Sequence, residues 1–211
     1  CFIMALRGLS SPGRARRGTA LGVIGMVIAI VTTLADPTVM SFELIIAGIV
    51  IGGLIGTLLA LKIDMTALPQ LVAAFHSLVG LAAVFVAVAA FFAPEAYGIG
   101  AFGKIQMASL IEMSLGAAIG AITFSGSLIA FGKLQGILGG SPVVFKGQHA
   151  LNALLGIALI GLISWLVQSN HEMAFWLVIV LSIILGFTII LPIGGADMPV
   201  VVSMLNSYSG W

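Results

Sequence analysis

The chain has 211 residues, 61% of them hydrophobic and 7% charged, with a net charge of +1 and a mean hydropathy of +1.26. A water-soluble domain carries roughly 25% charged residues, so this chain has too few to cover a water-facing surface and is expected to be an integral membrane protein. Its single cysteine, Cys1, excludes a disulfide framework or a cysteine metal site within one chain, and no nucleic-acid partner is expected.

The apolar runs are long and lack strict alternation, which predicts helices rather than barrel strands. The expected fold is all-α, a polytopic transmembrane helix bundle. Residues 1–6, CFIMAL, read as the tail of a helix that begins upstream. They are too short for a signal peptide and are followed by basic residues rather than a cleavage site. Residues 7–18, RGLSSPGRARRG, read as a loop carrying Arg7, Arg14, Arg16 and Arg17, in which Pro12 and three glycines block helix continuation. Apolar segments then run over 19–35, 42–61, 70–93, 106–131, 149–168 and 173–192, with a last partial one from 200 to Trp211. This gives six complete spans plus partial spans at both ends, and the chain is read as a piece of a larger polypeptide. The span 106–131 exceeds the ~20 residues a bilayer requires and is expected to tilt or to extend beyond the lipid.

Lys and Arg placement sets the expected orientation. With loops 7–18, 62–69, 132–148 and 193–199 cytoplasmic, the inner side holds Arg7, Arg14, Arg16, Arg17, Lys62, Lys133 and Lys146, against Lys104 alone outside. Glycines recur at four-residue spacing at Gly48, Gly52 and Gly56, and again at Gly116 and Gly120. Small residues at this spacing let helices approach closely in lipid, and generic packing is the expected role. No internal repeat supports an inverted-repeat carrier.

One residue interrupts the run QLVAAFHSLVGLAAVFVAVAAFFA (70–93): His76. An imidazole in hydrocarbon is costly, titrates near physiological pH, and points to function before structure. At ~1.5 Å per residue it lies ~9 Å from the Gln70 end of its span. By the same measure Thr123, Ser125 and Ser127 lie ~6–12 Å from the end of theirs, and Asn206 lies ~9 Å beyond Val200. Three helices thus bring polar groups to one level. Glu112, Gly116, Gly120, Thr123 and Ser127 share one helix face. Glu112 and His76 are expected to bracket a hydrated path of the kind proton relays use. His149 and His171 sit at span ends, where a solvated role is expected, and three histidines on three helices make no metal site. The loop GGADMP (194–199) places Asp197 near a helix start, where the helix dipole favours a carboxylate and where a soluble partner has access.

IGGADMPVVVSMLNSYSGW (193–211), MTALPQLVAAFHSLVGLAAV (65–84) and AITFSGSLIAFGKLQG (121–136) occur in one order behind the Arg-rich loop. Together they resemble the membrane region of the proton-translocating NAD(P) transhydrogenase beta subunit, over essentially the whole chain. The resemblance implies an enzyme that moves a hydride between NAD(H) and NADP(H) while a proton crosses a bacterial plasma (inner) membrane. It implies NAD and NADP as cofactors of the whole enzyme. No G-x-G-x-x-G fingerprint occurs here, so this fragment is expected to bind no nucleotide and to hold no catalytic residue for hydride transfer. Residues 1–211 then form the transmembrane proton-channel domain, with the downstream NADP(H)-binding domain outside the fragment. The implied partners are the alpha subunit, the NADP(H)-binding domain, the lipid bilayer and a second copy of the whole enzyme in a homodimer. Carried over by position, the channel histidine falls on His76, the channel asparagine on Asn206 and the loop acid that communicates with the NADP(H) domain on Asp197. Ser127 lines the same region, and Glu112 stands where the family has a glutamate. The alternatives are a stand-alone proton-coupled channel or carrier, and a passive membrane anchor.

Overall fold

The computed structural model describes residues 1–36, 39 and 41–210; Trp211, expected to end the last apolar stretch, lies outside the described residues. Eight α-helices occur among these residues: α1 Phe2–Leu9, α2 Ala15–Leu34, α3 Glu43–Lys62, α4 Leu68–Phe92, α5 Met107–Leu134, α6 Gln148–Ser169, α7 Glu172–Ile190 and α8 Met198–Ser209. Six helical stretches are long and apolar enough to cross a membrane, as the apolar segments predict. A hairpin of two-residue strands, β1 Gly100–Ala101 and β2 Lys104–Ile105, joins α4 to α5.

The helix ends follow local chemistry. Pro69 and Pro199 sit in the first turns of α4 and α8, where a missing N–H costs nothing. Gly147 and Asn170, both left-handed, bracket α6. The His171 ring caps α7 by accepting a hydrogen bond from Met173 N at 3.1 Å.

The loop expected at 7–18 is shorter in the structure. α1 runs on to Leu9 and α2 already begins at Ala15, so Arg7 and both Arg16 and Arg17 are helical. Pro12 stands at the start of a short 3₁₀ turn, Pro12–Arg14, rather than ending structure. Gly8 and Gly18 act as contact points: a Cβ built on Gly8 would lie 2.6 Å from Gly18 Cα.

Packing divides the chain into two compact units, Cys1–Lys62 and a second that begins at Ile63. In the first, α1 lies against α2 and α3 has no buried residue. In the second, α5 is the central helix, packed on α4, α7, α8 and, more lightly, α6. Its buried face is rich in Ala, Gly and Ser, the residue sizes that allow helix axes to come close without a hydrophobic driving force. Gly80 of α4 and Gly120 of α5 meet backbone to backbone, since a Cβ on Gly80 would fall 2.7 Å from Gly120 O. Gly186 of α7 makes a similar approach, its Cβ position lying 2.7 Å from Ile122 O. At the hairpin end Phe91 stacks on Phe175 with centroids 4.5 Å apart. At the other end Ala73, Ala130, Ile190, Met198 and Leu205 form a second cluster.

Candidate functional site

His76 lies one helical turn before Gly80, so the Gly80–Gly120 crossing presses its ring against α5. The side chain is buried, with 6% of its surface exposed. Both ring nitrogens have hydroxyl partners on other helices. Nδ1 is 2.8 Å from Ser127 Oγ on α5, and Nε2 is 3.2 Å from Ser209 Oγ on α8. Ser209 Oγ also donates to Asn206 O at 3.1 Å. With that proton engaged, the Ser209 oxygen accepts from Nε2–H, and the fully buried Ser127 hydroxyl donates to Nδ1. A hydroxyl both donates and accepts, so rotating the two O–H bonds accommodates the opposite tautomer, and the imidazolium donates to both oxygens. The arrangement gives each ring nitrogen a hydroxyl partner in either tautomer and in the charged form.

The structure therefore joins His76 to Ser127, which the depth comparison placed together, and adds Ser209. The Asn206 side chain is exposed and makes no hydrogen bond among the described residues; only its carbonyl reaches the group, through Ser209. Depth along a helix fixes a level but not a face, and Ser209 stands one turn past Asn206. The signal for Ser209 was its i+3 spacing from Asn206 within MLNSYSG. Thr123 is buried beside Gly80, and Ser125 Oγ donates to Ala121 O of its own helix at 3.0 Å.

Glu112 lies two to three turns from Gly120 on the same α5 face, is exposed, and lines two adjoining cavities. One, of about 400 Å³, runs past Gly116 and Gly120 to Ser209. The other, of about 470 Å³, runs past Ser109 to Tyr97 near the hairpin. The two share Ala83, Glu112 and Gly116. Glu112 thus stands where a cavity from the hairpin end adjoins a cavity lined by the His76 partner Ser209.

Asp197 occupies the N-cap position of α8 but makes no capping hydrogen bond, and its carboxylate is exposed. The loop around it is tied down by a residue read from sequence only as a topological charge. Lys133, 5% exposed, donates from Nζ to Leu191 O and Ile193 O, each at 2.6 Å, and to Ser141 O at 3.5 Å. Two backbone bonds complete the tie, Gly195 N to Gly140 O at 2.8 Å and Val143 N to Leu191 O at 3.2 Å. The two short bonds go to carbonyls just past the end of α7, where the helix dipole favours a cation. No sequence pattern announces such a partner set, because all three acceptors are backbone atoms. Among the described residues no group of three His, Cys, Asp or Glu side chains is placed to hold a metal ion.

Comparison with known proteins gives a family. Residues 1–211 match the family described as NAD(P) transhydrogenase beta subunit. Two curated sequences from Rhodospirillum rubrum, one assigned to a named strain, carry the name NAD(P) transhydrogenase subunit beta; each is 60% identical to this chain over 210 residues. The match covers 100% of this chain and 45% of each relative, so the chain spans less than half their length.

Proposed function

Since the chain belongs to the NAD(P) transhydrogenase beta subunit family, we propose that it forms the proton-conducting membrane domain of a transhydrogenase. In this reading the whole enzyme transfers a hydride between NAD(H) and NADP(H) and couples that transfer to proton movement across a bacterial inner membrane. Nucleotides are held by other parts of the enzyme, namely the alpha subunit and a soluble NADP(H)-binding domain, and the whole forms a homodimer. Loops 7–18, 62–69, 132–148 and 193–199 face the cytoplasm, in accord with the Lys and Arg distribution.

The observation that carries the proposal is the double hydroxyl bonding of a buried His76, one of whose partners, Ser209, lines a cavity together with Glu112. Protons enter from the hairpin side, pass Glu112, and reach Nε2 by way of Ser209. Nε2 takes this proton in the Nδ1–H tautomer; the resulting imidazolium donates to Ser127 and Ser209, and loss of one ring proton restores the neutral form. Asn206 shapes the approach through the carbonyl that orients the Ser209 hydroxyl. Asp197, exposed at the start of α8, contacts the NADP(H) domain and biases its nucleotide affinity. Such linkage is reciprocal, so nucleotide state in turn biases proton occupancy of His76.

The test is His76→Asn and His76→Ala in the assembled enzyme reconstituted into vesicles. Both variants are expected to lose proton uptake driven by hydride transfer while retaining nucleotide binding. Full proton-coupled turnover by either variant removes the basis of the proposal.

A further inference from the structure

Where α1 meets α2, the structure forms a basic cavity that plays no part in the proton route. It measures about 290 Å³ and is lined by Arg7 of α1, Arg14 of the 3₁₀ turn and Arg17 of α2, with Met4 and Leu21 on its walls. The Gly8–Gly18 contact creates it, because two helices that touch at their backbones bring the flanking long side chains around one space. No acidic side chain lines the cavity, and none of the three guanidinium groups forms an ion pair among the described residues. All three arginines are exposed, and three like charges gathered around one space favour an anion there. The surroundings are apolar: α2 belongs to a membrane-length span, and Met4 is half exposed beside the charged mouth.

We propose that this cavity binds the phosphodiester headgroup of an anionic membrane lipid. Guanidinium forks match phosphate oxygens in pairs, and basic pockets between helices at the membrane boundary suit such headgroups. Arg7, Arg14 and Arg17 hold the phosphate, and Met4 and Leu21 meet the start of the acyl chains. A soluble phosphate shares the charge but gains nothing from the apolar walls.

The experiment is native mass spectrometry of the assembled enzyme released from bilayers of mixed phosphatidylglycerol and phosphatidylcholine. The parent enzyme is expected to retain at least one phosphatidylglycerol per copy of this chain, undisturbed by millimolar inorganic phosphate. The variant Arg7→Gln/Arg14→Gln/Arg17→Gln is expected to lose it. Arg16→Gln, a charge change in the same segment outside the cavity, is expected to keep it. Should the triple variant fail to assemble, Arg14→Gln and Arg17→Gln singly are expected to weaken lipid retention about tenfold, the loss of one charge-assisted pair. Equal retention by parent and cavity variants overturns the proposal, as does equal loss in Arg16→Gln. Displacement by inorganic phosphate assigns the cavity to a soluble anion instead. Dissociation of the other subunits from a variant that keeps its lipid assigns it to protein docking; either result overturns the lipid site.

Discussion

At His76 the decisive feature is that both ring partners are hydroxyls, which accept or donate as the ring requires. Carboxylate partners would fix the imidazolium, and carbonyl partners would fix both nitrogens as donors. Ser209→Ala removes the acceptor for Nε2–H and is expected to shift the neutral ring toward the Nδ1–H tautomer, read from ¹⁵N shifts of a His76-labelled enzyme. An unchanged tautomer balance would show that Ser209 does not orient the ring. Ser127→Ala leaves Nδ1 unpaired in a fully buried place, at about 1–3 kcal/mol, and is expected to slow proton-coupled turnover about tenfold or more. His76 and Ser127 were legible in sequence because a polar residue stands out in an apolar run and its depth can be counted. Ser209 was not, because counting residues gives a level and only the packed structure gives the face.

At the scale of helices, the glycines separate into two kinds that look the same in sequence. Gly48, Gly52 and Gly56 have nothing within 4 Å of a built Cβ, as does Gly116. Gly80 and Gly120 meet a facing backbone, and Gly186 faces Ile122 and Ser125. Spacing announces a small-residue stripe, yet whether a helix lies against it depends on the partner, which the stripe does not encode. Gly120→Val is expected to force α4 and α5 apart, costing about 1–3 kcal/mol, and to lengthen the His76–Ser127 bond. The check is a lower melting temperature of the assembled enzyme together with reduced proton pumping per hydride; an unaltered melting temperature would show that the crossing tolerates a side chain. The six membrane-length helices were legible because apolar length and flanking charge persist whatever the packing. The turn at 7–18 was misjudged because Gly8 and Gly18 read as helix breakers when their role is contact.

Over the whole second unit, Lys133 ties the loop before α8 to the central helix α5. Lys133→Met takes the donor from Ile193 O, at about 1–3 kcal/mol, while Leu191 O keeps Val143 N. It is expected to accelerate hydrogen exchange at the Gly195 amide while the middle of α5 stays protected. Exchange unchanged at Gly195 would mean that the backbone bonds alone hold the loop. From the restrained loop, α8 runs 12 residues to Ser209, a rod of ~18 Å. One tip carries the exposed Asp197 and the other carries the oxygen that meets Nε2 of His76. An α-helix resists stretching far more than it resists shifting as a body, so a force on the acid arrives at the imidazole as displacement rather than being absorbed on the way. A hydrogen bond of 3.2 Å weakens steeply when its partners separate, and sub-ångström travel at the tip is enough to change its strength. In the proposed function α8 would work as a lever, with the Lys133 tie near its fulcrum and a throw set by how far that tie yields.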